Sequence, residues 1–111
     1  MPTSNSFRAG FDTERSRAGA FSGAFQTLGS VLAHNPVIMI FDNQSDVSIE
    51  VSVDGTNTWK TFSAGEALVL DMRGNGGMAG NFTVELNTQF FVRGTGGTGS
   101  FRLSILYARP E

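Results

Sequence analysis

Apolar and polar positions alternate with a period of two along much of this chain. "VSIEVSV" (47–53) sets Val47, Ile49, Val51 and Val53 on one side and Ser48, Glu50 and Ser52 on the other, which predicts a half-buried strand. "NFTVEL" (81–86) and "SFRLSILYA" (100–108) repeat the pattern, the second with Phe101, Leu103, Ile105 and Tyr107 on one face. "PVIMIFD" (36–42) is instead a continuous apolar run, the pattern of a strand covered on both faces. "TWKTF" (58–62), "EALVLDM" (66–72) and "TQFFVR" (88–93) read as further strands, making seven between 36 and 108, with an eighth at 24–33. Turn signals recur about every 8–12 residues, the spacing of a sandwich or barrel. Asp54-Gly55-Thr56-Asn57 predicts a hairpin between two of the strands.

Residues 1–20 break the rhythm. They are rich in Gly, Ala, Ser and Arg, and "RAGF" (8–11) is echoed by "RAGAF" (17–21). Phe7 and Phe11, then Phe21 and Phe25, are spaced by four, but Gly10, Gly19 and Gly23 weaken any helix there. The expectation is an extended or partly disordered arm over 1–20, with a short helical turn at 12–18, followed by a β-sandwich domain over 21–111. The arm's four Phe rings, Phe7, Phe11, Phe21 and Phe25, are expected to seat against neighbouring subunits, because a Gly-rich segment gains order only against another surface.

"RGTGGTGS" (93–100) contains a G-x-G-x-x-G. A dinucleotide fingerprint must open a helix and be followed by an acidic residue about 20 positions on. Here an alternating strand follows and only 12 residues remain after Gly99. No Lys follows the glycines, so a P-loop fails as well. The run reads as a hairpin loop, with Thr95 and Thr98 available to a partner protein.

Composition narrows the chemistry further. Charged residues are 16% of the 111, net charge is -2, and there is no Cys and a single His. Disulfides and thiolate metal sites are excluded. His34 alone cannot build a His-rich metal site, and its place before Asn35-Pro36 marks it as a boundary residue. Asp42, Asn43, Ser45 and Asp46 crowd one turn, but they lack the Gly and Glu of a calcium-binding hand, so Asx turns are expected. Arg8, Arg15 and Arg17 are offset by Asp12 and Glu14, which gives no electrostatic case for nucleic acid. No apolar run reaches a membrane span, and residues 1–19 lack the apolar core of a secretory signal; synthesis in the cytoplasm is expected. Neither a cofactor nor an enzymatic role is expected. Trp59, Phe62, Phe90, Phe91 and Tyr107 supply either core packing or a sugar-stacking platform. Of Phe90 and Phe91, strand alternation sends one inward and one outward.

"NPVIMIFDNQSDVSIEVSVDGTNTWKTFSAGEALVLDM" (35–72) and the closing "FVRGTGGTGSFRLSILYAR" (91–109) resemble small β-sandwich virion proteins of tailed bacteriophages. The resemblance implies an all-β, antiparallel, jelly-roll-like sandwich that assembles on a virus particle. Its partners would be major capsid or neck and tail proteins, together with further copies of itself. Capsid decoration and a neck or tail ring are the two positions it suggests; a carbohydrate-binding module is the alternative of another class. The expected contact residues are the four arm Phe with Asp54, Asn57, Trp59, Met78, Phe90, Phe91, Thr95 and Thr98.

Overall fold

The computed structural model describes residues 7–71 and 86–110, with side chains from Gly10 to Asp71 and from Leu86 to Tyr107. The predicted loop at 73–80, with Met78, and the strand predicted at 81–86 up to residue 85 lie outside the described residues, as does the side chain of Phe7. The described chain is all-β, in two antiparallel sheets. Its strands are β1 (Phe7–Phe11), β2 (Arg15–Ala18), β3 (Gln26–Thr27), β4 (Ile38–Asn43), β5 (Ile49–Ser52), β6 (Lys60–Phe62), β7 (Ala67–Asp71), β8 (Phe91–Arg93) and β9 (Ser100–Pro110). Sheet 1 runs β1-β9-β4-β7, with β2 also on β9; sheet 2 runs β3-β8-β5-β6.

The core lies between the sheets and follows the period-two pattern. Met39 and Phe41 of β4 meet Leu103 and Ile105 of β9 from one side, and Ile49 and Val51 of β5 with Val92 of β8 from the other; all are buried. Phe41 and Phe90 pack edge to face at 5.5 Å, and Phe62 and Phe101 do so at 5.2 Å. Each ring therefore buries a large apolar area in a favourable geometry. The alternation of 47–53 fails at its end: Ser52 is buried and Val53 is 49% exposed. The Ser52 hydroxyl accepts from the amides of Asp54 and Gly55 and donates to Asp54 Oδ1, so the turn's hydrogen bonds override the pattern.

The leading segment differs from its expectation. Residues 7–18 lie along the sheet of their own chain, with Phe11 opposite Leu106 and Arg15 opposite Leu103. Four residues on the leading side thus span three on β9, which is a β-bulge where a helical turn was expected. The bulge is built by Asp12, whose amide donates to Ile105 O and whose Oδ1 accepts from the Thr13 amide. Phe21 belongs to the core, 5% exposed, so it offers nothing to a neighbouring subunit. The strand expected over 24–33 shrinks to β3, because Leu28 and Leu32 turn into the core and hydrogen-bond through their amides to Phe90 O and Thr88 O.

The predicted hairpin at 54–57 is present, between β5 and β6. Residues 94–99 are not a hairpin loop: β8 and β9 belong to different sheets, and the loop crosses between them. It is stitched on both sides, by Phe21 and Gly96 exchanging backbone bonds and by the amides of Gln44 and Asp46 donating to Ser100 O and Thr98 O. Gly96, Gly97 and Gly99 all have positive φ, and a Cβ on Gly99 would run into the Gln44 carbonyl oxygen. Gly65 also has positive φ but faces open space. Urea denaturation should therefore separate the two positions: Gly65→Ala should cost ~1 kcal/mol, the left-handed penalty alone. Gly99→Ala should cost ~2 kcal/mol or more. Equal losses would contradict the packed crossover.

Candidate functional site

The expected aromatic platform is not assembled. Trp59 is 44% exposed but leans on the core, its ring 5.3 Å from Phe41 and 6.4 Å from Phe62. Phe90 is inside, and Phe91 is half-buried on the outer side of sheet 2, where its ring lies against Gly55. No shared stacking plane links Trp59 to Phe91.

The polar turn residues satisfy one another. Asp54 accepts from Ser52 Oγ, the amides of Thr56 and Asn57, and Asn57 Nδ2, and these bonds hold its carboxyl far below the ordinary carboxylate range. Buried Asn43 donates through Nδ2 to the carbonyls of Val47, Phe62 and Ser63 and accepts at Oδ1 from Ser45. It thereby staples the corner after β4 to the corner after β6. Asp46 accepts from the amide and hydroxyl of Thr98, which lowers its pKa and ties down the glycine crossover. Thr95 is exposed beside a groove of about 540 Å³ that Ser48, Glu50, Arg93 and Gly94 also line. Arg93 is engaged there, bonded to Glu50 at 2.9 Å and stacked 4.3 Å from the Phe25 ring. Among the described residues, no three His, Cys, Asp or Glu side chains converge to hold a metal ion.

The bulge gathers a second polar cluster that the sequence pattern had not led us to expect. Arg15, 2% exposed, donates to the carbonyls of Thr13, Ser30 and Val31 and lies 3.5 Å from Asp12. Its stem crosses Gly29, where a Cβ would come within 2.7 Å. His34 Nδ1 lies 3.4 Å from Asp12, and the His34 ring stacks on Tyr107 at 3.7 Å. Burial pushes the Asp12 carboxyl up, but the Thr13 amide, His34 and Arg15 outweigh it and hold the pKa below its ordinary value. One signal was available: Arg15 and Arg17 are two apart, hence on one side of a strand, and Arg17 likewise donates to Thr27 O.

The two outer faces contrast sharply. That of sheet 2 carries Glu50, Arg93 and Thr58 bonded to one another. That of sheet 1 carries Phe11 (81% exposed), Ile40 (40%) and Val69 (58%), with half-buried Ile38 and Leu106 between them. Cross-strand register makes the patch continuous: Phe11–Leu106–Ile38 form one row, and Ser104–Ile40–Val69 the next outward row. Among the described residues, the run expected to be covered on both faces is covered on one, since Ile40 and Ile38 face out. Comparison with known proteins matches the chain to no family model, no curated protein and no solved structure.

Acid should destabilise the fold. Asp12, Asp46, Glu50, Asp54 and Glu66 all have pKa values below the ordinary 3.8 for Asp and 4.5 for Glu. A depressed folded value gives stability that is complete above the unfolded pKa and lost as pH falls through the folded one. Tm should therefore drop as pH falls below about 4. Asp46→Ala should shrink that drop and speed hydrogen exchange at the Thr98 amide. A Tm that rises on acidification would contradict this hydrogen-bond assignment.

Proposed function

We propose that this chain is a non-enzymatic structural protein of a bacteriophage virion, bound to the particle exterior as a capsid decoration (cement) protein. The observation that carries the reading is a two-sheet body in which the described residues leave the apolar stripe of Phe11, Ile40 and Val69 exposed on the outer face of sheet 1. Contiguous exposed apolar surface on a small body marks a protein contact. The strand order supports a jelly roll: with β1 and β2 counted as one edge strand, sheet 1 reads first-eighth-third-sixth and sheet 2 second-seventh-fourth-fifth. That architecture recurs in viral shells, although it also serves lectins, so the fold alone does not decide the function. The turn carboxylates and amides are consumed by the corners they hold, which fits a building block better than a catalyst.

Mass spectrometry and immunogold labelling of density-purified particles of the phage encoding the chain test this reading. The chain should co-purify with particles, and label spread over the head is the expected result. Label confined to one vertex or to the tail would move the protein to the neck or tail ring. A chain found only in the soluble lysate would overturn the virion assignment.

A further inference from the structure

We infer that the outer face of sheet 1 docks a second copy of this chain, face to face about a two-fold axis. The inference rests on the building-block reading above and names the partner of that same face.

Self-complementarity is written into the register. β9 and β4 are the two middle strands of sheet 1, and Arg102 on β9 is directly opposite Asp42 on β4. A two-fold axis lying in the interface between these strands, and parallel to them, exchanges β9 for β4 across the contact. Each Arg102 then falls over the second copy's Asp42, and each Leu106 over its Ile38. The charges are placed to respond: Arg102 is exposed, and its nearest anion is Glu14 at 3.6 Å. The same operation lays the β1 side of one copy over the β7 side of the other. Phe11 shares the row of Leu106, Ile38 and Asp71, so its ring falls at the β7 edge of the second copy, over the end of the strand at Asp71 and beside Val69. A closed interface of this kind uses one patch twice.

The size is adequate. Four strands spaced ~4.8 Å apart and five to eleven residues long at ~3.4 Å each give a flat projection on the order of 500 Å². Side-chain relief raises its accessible area toward the ~800 Å² per partner of a standard interface. Aligned sheets pack ~10 Å apart with interdigitating side chains, which suits the Ile38, Ile40 and Leu106 ridge. Glu14, Arg102 and Asp42 at one end and Asp71 at the β7 edge border the patch with polar groups, and the one Lys, Lys60, lies in sheet 2.

Sedimentation of the full chain at rising concentration, combined with alkylation, tests the inference. The chain has no Cys, so Ile40→Cys and Thr61→Cys each introduce a single reporter thiol, on the outer faces of sheets 1 and 2 respectively. The expected result is a reversible dimer in which Ile40→Cys becomes protected as concentration rises while Thr61→Cys stays reactive. Ile40→Lys, at an exposed position whose fold can be checked by near-ultraviolet circular dichroism, should weaken the dimer by about tenfold or more. A monomer at all concentrations overturns the inference, as does a dimer with Ile40→Cys fully reactive. Protection of Ile40→Cys in a chain that sediments as a monomer also overturns it, because the cover would then come from the same chain. A monomer that still loads onto particles would remove the self-docking and leave the virion reading intact. A face-to-face dimer missing from particles would do the reverse.

Discussion

A single buried guanidinium fastens the leading edge of this molecule. Arg15 spends its donors on the carbonyls of Thr13, Ser30 and Val31, joining the bulge to the segment that precedes β4. The described side chains before Phe21 add no hydrophobic residue to the core. Residues 7–18 are therefore held by their backbone ladder on β9, by Arg15, and by Arg17 on Thr27 O. Three carbonyls would lose a charged donor if Arg15 lost its head group, and hydrogen bonds to charged groups are the stronger kind. Closing the β9 edge also has a consequence for function. It widens sheet 1 from three strands to four and places Phe11 beside Leu106, which completes the apolar rows of the outer face.

The rest of the fold is a matter of corners. Apart from the β5–β6 hairpin, the chain changes sheet between successive strands once β1 and β2 are taken together. Three of the described corners are held by polar side chains: Asn43 at one, Asp46 with Thr98 at another, Glu66 accepting from the Ser63 amide at a third. These residues look like candidate chemistry in a list of carboxylates and amides. In the fold they are bonded to the backbone they turn, while the exposed apolar side chains Phe11, Ile40 and Val69 lie together on sheet 1.

Local pattern revealed the strands that carry the core, because a half-buried strand writes its burial into every second residue. β5 and β9 were legible for that reason, β4 as a continuous apolar run, and the Asp54-Gly55 turn from its turn residues. Pairing across the molecule was not legible. Nothing in "GTGGTG" says whether the strands it joins lie in one sheet or two, since glycine serves a hairpin and a crossover equally well. Phe11 and Phe21 sit in echoing sequences yet end on opposite sides of the surface: Phe11 falls on an outward position of an edge strand, and Phe21 at a corner where Gly94 lets it pack closely. Arg15 was hidden because a strand-borne arginine is ordinarily solvated, and its acceptors are 15 and 16 residues away. The continuous apolar run at 36–42 calls for cover on both faces, and the described residues supply it on one.

Native-state hydrogen exchange of the full chain and of Arg15→Met tests most directly whether the leading segment is part of the sheet. In the unaltered chain the ladder amides between residues 7 and 18 should be protected well above solvent rates. Arg15→Met keeps the stem over Gly29 and removes the donors, so protection should fall at 7–18 and persist in β4 and β5. Solvent-rate exchange throughout 7–18 in the unaltered chain would show a free arm and contradict the closed edge on which the sheet-1 face depends.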